Sequence, residues 1–159
     1  MTGIVIPYRG MPIETLRPIA ESWAKDACGS QYGIEITADG HLADLERLSN
    51  SPSSALLVLV QAAPVGYIGI EFWQNPLGSE LVASEKYWYV LPDARGRDSF
   101  RLLREAKKCA KQAGASYMFF TASRLAGTEH DRVCRLYEHM GFRAFETTYI
   151  TSLDAEKGA

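Results

Sequence analysis

The sequence predicts a mixed α/β fold, with one central and mostly antiparallel sheet carrying helices on both faces. Three observations lead there. Strand-like and helix-like periodicities alternate along the chain. The run ALLVLVQ at residues 55–61 is continuously apolar, the mark of a strand buried on both sides. A short turn signal, Ala63-Pro64, joins it to the next strand-like run and makes the two an antiparallel hairpin.

Each element has its own signal. Residues 3–8 form a short apolar strand closed by Arg9 and Gly10. Pro12 opens a helix with Ile13, Leu16, Ile19, Ala20 and Trp23 at helical spacing, ending near Gly29. Residues 31–37 read as a loop or short strand. Asp39 and Gly40 precede a second helix carrying Leu42, Leu45 and Leu48, and Asn50-Ser51-Pro52 stops it. The hairpin strands at 55–61 and 65–73 follow, then a turn at 74–78 and a strand at 82–90. An amphipathic helix spans 99–113, Gly114 ends it, and SYMFFT at 116–121 reads as another buried strand. Residues 131–140 form a helix with Val133, Leu136, Tyr137 and Met140 on one face and Gly141 past its end. A last β segment covers 142–152. The expected order is β, α, α, β, β, β, α, β, α, β, in one domain at 1–153 with a polar tail at 154–159.

Composition narrows the function classes. A chain of 159 residues, 47% hydrophobic and 23% charged, fits one globular core. The net charge of −2, with no basic stripe, gives no reason to expect nucleic acid or an anionic membrane as partner. No apolar run approaches a membrane span, and the first residues lack a leader pattern, so a cytoplasmic protein is expected. Cys28, Cys109 and Cys134 lack metal-ligand spacing and read as small buried hydrophobes, so no metal is expected. His41 and His139 read as surface residues.

The chemistry concentrates where strand 82–90 meets the helix at 99–113, through Leu91-Pro92-Asp93-Ala94-Arg95-Gly96-Arg97. A strand turning through such a loop into a helix N-terminus is a ready anion site, because the first helical N–H groups have no partner within the helix. Asp98 is repulsive to a bound anion, and the bland account is that Asp98 or Ser99 caps the helix. Alternation along 82–90 puts Ala83, Glu85, Tyr87 and Tyr89 on one face.

This order resembles the GNAT superfamily of acyl-CoA N-acyltransferases, and three strings carry the likeness. Val90, Pro92, Arg95 and Gly96 match the family's loop pattern V-x-P-x-x-R-G, although the loop is one residue short. Residues 135–142, RLYEHMGF, resemble its L-Y-E-x-x-G-F string, and residues 64–69, PVGYIG, resemble the strand before the cofactor strand. Residues 145–150 also resemble members encoded by bacteriophages. The resemblance implies acetyl-CoA as cosubstrate, no metal, and a small-molecule or protein amine as acceptor. It implies a diphosphate cradle from Arg95, Gly96, Arg97, Asp98, Ser99 and Phe100, with main-chain groups of Trp88, Tyr89, Val90 and Leu91 along the pantetheine arm. His130 takes the place of a residue touching that arm. Tyr137 matches the proton donor to the departing thiolate, or is simply a core aromatic. Glu85 is the nearest equivalent of the base, with Glu71 as runner-up, or else a solvated carboxylate. The acceptor is expected near residues 27–42 and 145–150, where Tyr32, Glu35, Asp39 and Tyr149 lie. Two further readings stay open: an inactive module of this fold, and a nucleic-acid-modifying enzyme. A homodimer paired through the C-terminal strands is also compatible.

Overall fold

A computed structural model describes residues 3–153; the expected tail at 154–159 lies outside them. The backbone divides into two compact units. One runs to Lys25 and resumes over Thr37–Thr121, and the other combines Asp26–Ile36 with the chain from Ala122 onward.

The first unit holds a five-stranded sheet in the order β1 to β5: β1 Ile4–Pro7, β2 Ser54–Val60, β3 Pro64–Gln74, β4 Leu81–Val90 and β5 Tyr117–Phe119. Neighbours are antiparallel except β4 and β5, which are parallel. Alternation along the strands serves two faces. Leu56, Val58, Tyr67 and Tyr89 pack with Leu16, Ile19, Leu42, Leu45 and Leu48, from the turn Ile13–Leu16 and the helices α1 (Arg17–Asp26) and α2 (Ala38–Asn50). Leu57, Leu59, Ile68 and Ile70 take the opposite parity and are buried, as are Leu102, Leu103 and Ala106 of α3 (Arg97–Gln112), which packs on β1, β2 and β3.

Several boundaries move for identifiable reasons. Pro12 opens a single 3-10 turn, Ile13–Leu16, and α1 begins only at Arg17. Pro18 has no N–H to donate, so one continuous α-helix across that point would lack a ladder bond. The second helix starts before Asp39, at Ala38, because the Thr37 hydroxyl accepts the Gly40 N–H at 3.1 Å and caps it. The strand expected to be buried at 116–121 is a three-residue edge strand with Tyr117 exposed. All three cysteines are half-buried.

In the second unit, a 3-10 segment Arg124–Glu129 leads into α4, His130–His139, which stops at Gly141 with φ +86°. The expected strand at 142–152 does not form. Strand-like alternation makes a strand only where another backbone supplies a ladder, and among the described residues none pairs with it. Phe145, Tyr149 and Ile150 are exposed there.

Candidate active site

The loop after β4 builds a main-chain nest. Gly96 sits at φ +143°, ψ −141°, a conformation that only glycine adopts without strain, and α3 begins at the next residue. Ser99 closes the first turn from inside: its hydroxyl accepts the Gly96 N–H at 3.3 Å and its own N–H donates to the Gly96 carbonyl at 3.1 Å. The N–H groups of Arg97 and Asp98 therefore head the helix, at the positive end of its dipole. The side chains of Arg97 and Phe100 are exposed around them. Arg95 folds back, with Nε donating to the Val90 carbonyl at 3.0 Å and its guanidinium 5.3 Å from the Tyr89 ring centre.

Asp98 does not enter the nest. Its carboxylate accepts the Gly3 N–H at 2.7 Å and the Gln61 amide at 3.3 Å, and Arg101 lies 3.8 Å away. The Gly3 N–H, then Gln61 and Arg101, hold this carboxyl below the usual range against an opposing effect of burial. The residue that reads as repulsive in sequence thus ties α3 to the start of β1. Its side chain is engaged away from the nest, while its N–H stays at the head of the helix. The residues present fit a diphosphate: the donors are backbone amides at a helix N-terminus and the nearest carboxylate is turned away.

β4 and β5 diverge like a fork. Their ladder covers only Val82–Ser84 against Tyr117–Phe119, so beyond Ser84 the described sheet pairs β4 through β3 alone. Glu85 is the next residue. It is 7% exposed, and its Oε2 accepts the Thr121 N–H at 3.2 Å, across the opening just past the end of β5. Burial pushes its carboxyl up to about 7, with the Thr121 bond pulling the other way. A carboxylate poised near neutrality in this way can take a proton at physiological pH.

The face that Glu85 occupies corrects the alternation read from sequence. Glu85 pairs with Ile70 and Tyr87 with Gly69, leaving Lys86 as an extra residue in β4. This β-bulge flips the parity. Glu85 shares the face of Ile68 and Ile70, whereas Tyr87 and Tyr89 share the face of Tyr67. A bulge leaves no mark in the period-2 pattern. At the upper end of the strand, a Cβ on Gly66 would lie 2.9 Å from the Tyr89 carbonyl, so β3 can approach there only as glycine.

Sequence reasoning missed a cluster on the Tyr87 face. His41 is 5% exposed, stacked on Trp23 at 4.1 Å, edge-on to Tyr87, with Nε2 2.5 Å from the Tyr67 hydroxyl. Burial pushes its imidazole down to about 4 against the pull of Asp44, so it is neutral at pH 7. The signal was present, because His41 precedes Leu45 and Leu48 at spacings of four and seven and so lies on the buried stripe of α2. Tyr87 donates to Asp44 at 2.7 Å, and Tyr89 shares a 2.8 Å hydrogen bond with Ser22. Glu71 is held by Arg47 at 2.9 Å and Lys86 at 3.5 Å, an ion-pair role that removes it as a free base. Asp39 pairs with Arg17 at 2.8 Å.

In the second unit, Tyr137 is 8% exposed with its ring 5.8 Å from that of Phe142. His130 has Nδ1 3.0 Å from Asp131 and both ring nitrogens 3.8 Å from the Cys134 sulfur. His130, Cys134 and Tyr137 are spaced by four and three residues and line one stripe of α4. Among the described residues no group of His, Cys, Asp or Glu could hold a metal, and no helix is long and apolar enough to cross a membrane.

Comparisons with known proteins agree with this architecture. The chain is similar in structure to a transcriptional regulator from Bacillus halodurans C-125, at 16% identity and TM-score 0.74, covering 94% of this chain and 100% of that one. A ribosomal-protein-alanine N-acetyltransferase from Brucella melitensis biovar Abortus 2308 gives 19% identity and TM-score 0.72, over 96% and 99%. The aminoglycoside N-acetyltransferase AAC(6')-Iy, solved with CoA, gives 17% identity and TM-score 0.71, over 94% and 93%. No curated protein matches the chain. The family model of the Acetyltransferase (GNAT) family matches residues 19–142, most of the length, and to that family the chain belongs.

Proposed function

We propose that this chain is an N-acetyltransferase that passes the acetyl group of acetyl-CoA directly to a primary amine. The observation that carries the reading is Glu85 at the fork of β4 and β5, buried, with its carboxyl pushed up to about 7. A free alkyl amine has a pKa of about 10 and is mostly protonated at neutral pH, so an acceptor needs a base to release its nucleophilic form. Glu85 fills that role, directly or through water. Acetyl-CoA supplies the acyl group as an activated thioester. The Arg97 and Asp98 N–H groups and the Gly96 turn hold its diphosphate, and the upper part of β4, from Trp88 to Leu91, offers main chain to the pantetheine arm. Tyr137 donates the proton that the departing thiolate takes up, and His130 lies two positions away on the same stripe of α4.

The acceptor is a small-molecule or protein amine. Related folds act on both kinds: one neighbour is a ribosomal-protein-alanine N-acetyltransferase and another an aminoglycoside N-acetyltransferase.

A thermal-shift titration tests cofactor binding first. Acetyl-CoA at about 100 times its Kd adds about 2.7 kcal/mol of stability, a rise in Tm of about 5–10 °C for a chain of this size. An unchanged Tm at millimolar acetyl-CoA leaves an inert module of this fold. Thiol release over an amine panel then tests transfer. Tyr137→Phe is expected to lower kcat by about 10²-fold while leaving cofactor affinity in place. A variant with full kcat returns Tyr137 to the role of a core aromatic.

A further inference from the structure

Net charge conceals how the charges are distributed. Six of the chain's 17 basic residues fall in α3, against two of its 19 acidic ones. Arg97, Arg101, Arg104, Lys108 and Lys111 recur at spacings of four and three, so at 100° per residue they form one crest, with Lys107 beside it. The opposite side of the helix is the buried one, lined by Ser99, Leu102, Leu103, Ala106 and Ala110. The basic stripe that the whole-chain balance argued against is therefore present once the helix is laid out.

The two ends of the crest differ. Arg97 belongs to the nest, and Arg101 is engaged by the Gly3 carbonyl and by Asp98. Arg104, Lys107, Lys108 and Lys111 are exposed and lie within about 10 Å along the axis. Lys108 makes an ion pair with Glu105, both partners at the surface, which a phosphate can replace at little cost.

We infer that the distal crest of α3 docks the phosphate backbone of a single-stranded nucleic acid, a surface separate from the acetyl-transfer site. Three features favour that occupant. The row is cationic and nearly continuous, which is all that backbone contact requires. It offers no apolar anchor: Phe100, the one exposed apolar side chain of α3, lies at the nest end, whereas a helix lying on lipid or capping a protein pocket presents a row of them. Acidic Asp98 and Glu105 border one side, so the crest is one strand wide and lacks a second cationic row for the other strand of a duplex.

Fluorescence anisotropy with a labelled oligothymidylate of about 20 nucleotides tests this in the intact protein. Four contacts predict that log K falls with log salt at a slope of about −3 for a single strand. Replacing Arg104, Lys107, Lys108 and Lys111 together by Gln, a good helix former, is expected to remove about 3 from that slope and weaken binding at least about 10-fold at 50 mM salt. The Lys107→Arg, Lys108→Arg, Lys111→Arg variant keeps both. Cofactor-induced thermal shift stays unchanged in either variant, which separates this result from any failure of the transferase reading. No saturable binding at about 50 mM salt overturns the proposal. So does an unchanged slope in the Gln variant, tighter binding of a duplex of equal length, or binding to anionic vesicles in place of the oligonucleotide.

Discussion

Glu85→Gln is expected to lower kcat by about 10²–10³-fold while leaving the Kd for acetyl-CoA unchanged, because the substitution removes a proton acceptor and little else. The Gln side-chain oxygen can still accept the Thr121 N–H, so the fork keeps its bridge. With the wild-type protein, kcat/KM should rise through pH 7 as the carboxyl ionises and become less steep above it. In the variant that limb disappears, and the remaining pH dependence follows the amine alone. An identical profile in the two proteins would show that ordered water does the work and that Glu85 is a bystander.

The same carboxyl makes an independent prediction about stability. Its folded-state pKa lies above the unfolded value of 4.5, so the fold favours the protonated form. Below pH 4.5 both states hold the proton and the group costs nothing. As pH rises from 4.5 to 7 the unfolded chain ionises first, and the fold loses stability until the folded group ionises too. At pH 8 the burden is about 3 kcal/mol, and Glu85→Gln should be more stable than wild type by up to that amount, with the gap closing toward pH 4.5. A gain in stability accompanied by a loss of activity is the signature of a site that holds a charge for chemistry.

What could be read in the sequence and what could not follows from the range of each interaction. The α/β order, the hairpin of β2 and β3 and the loop into α3 rest on local periodicity and turn chemistry, and they appear where residues 54–74 and 90–112 place them. The candidate site was only half legible. Glu85 could be singled out, but its face depended on the bulge at Lys86, which is set by pairing with β3 and not by any residue type. The direction taken by the Asp98 carboxylate was illegible for a similar reason: its partner, the Gly3 N–H, is 95 positions away. His41 reads as a surface residue by type, because histidine is usually solvated, but its place on the α2 stripe buries it. The segment at 142–152 shows the limit from the other side: it has strand-like residues without a described partner.

Gly96→Ala should separate the nest from the rest of the fold. At φ +143° and ψ −141° an L-residue pays a backbone penalty of about 1–3 kcal/mol, and a Cβ there would meet no atom within 4 Å, so the penalty is purely conformational. Rotating the 95–97 backbone relieves it, and that rotation swings the Arg97 N–H out of the position where a diphosphate would meet it. Calorimetry with CoA should therefore show affinity down by about 10–10²-fold, more than the accompanying loss of Tm explains. Gly10→Ala is the control. Gly10 also has a positive φ, +69°, with open space around it, but it lies in the turn after β1. That variant should lose stability and bind CoA as before. Equal affinities in the two variants would mean that the turn at Gly96 shapes the chain without holding a ligand, and the acyl-transfer reading would lose its anion site.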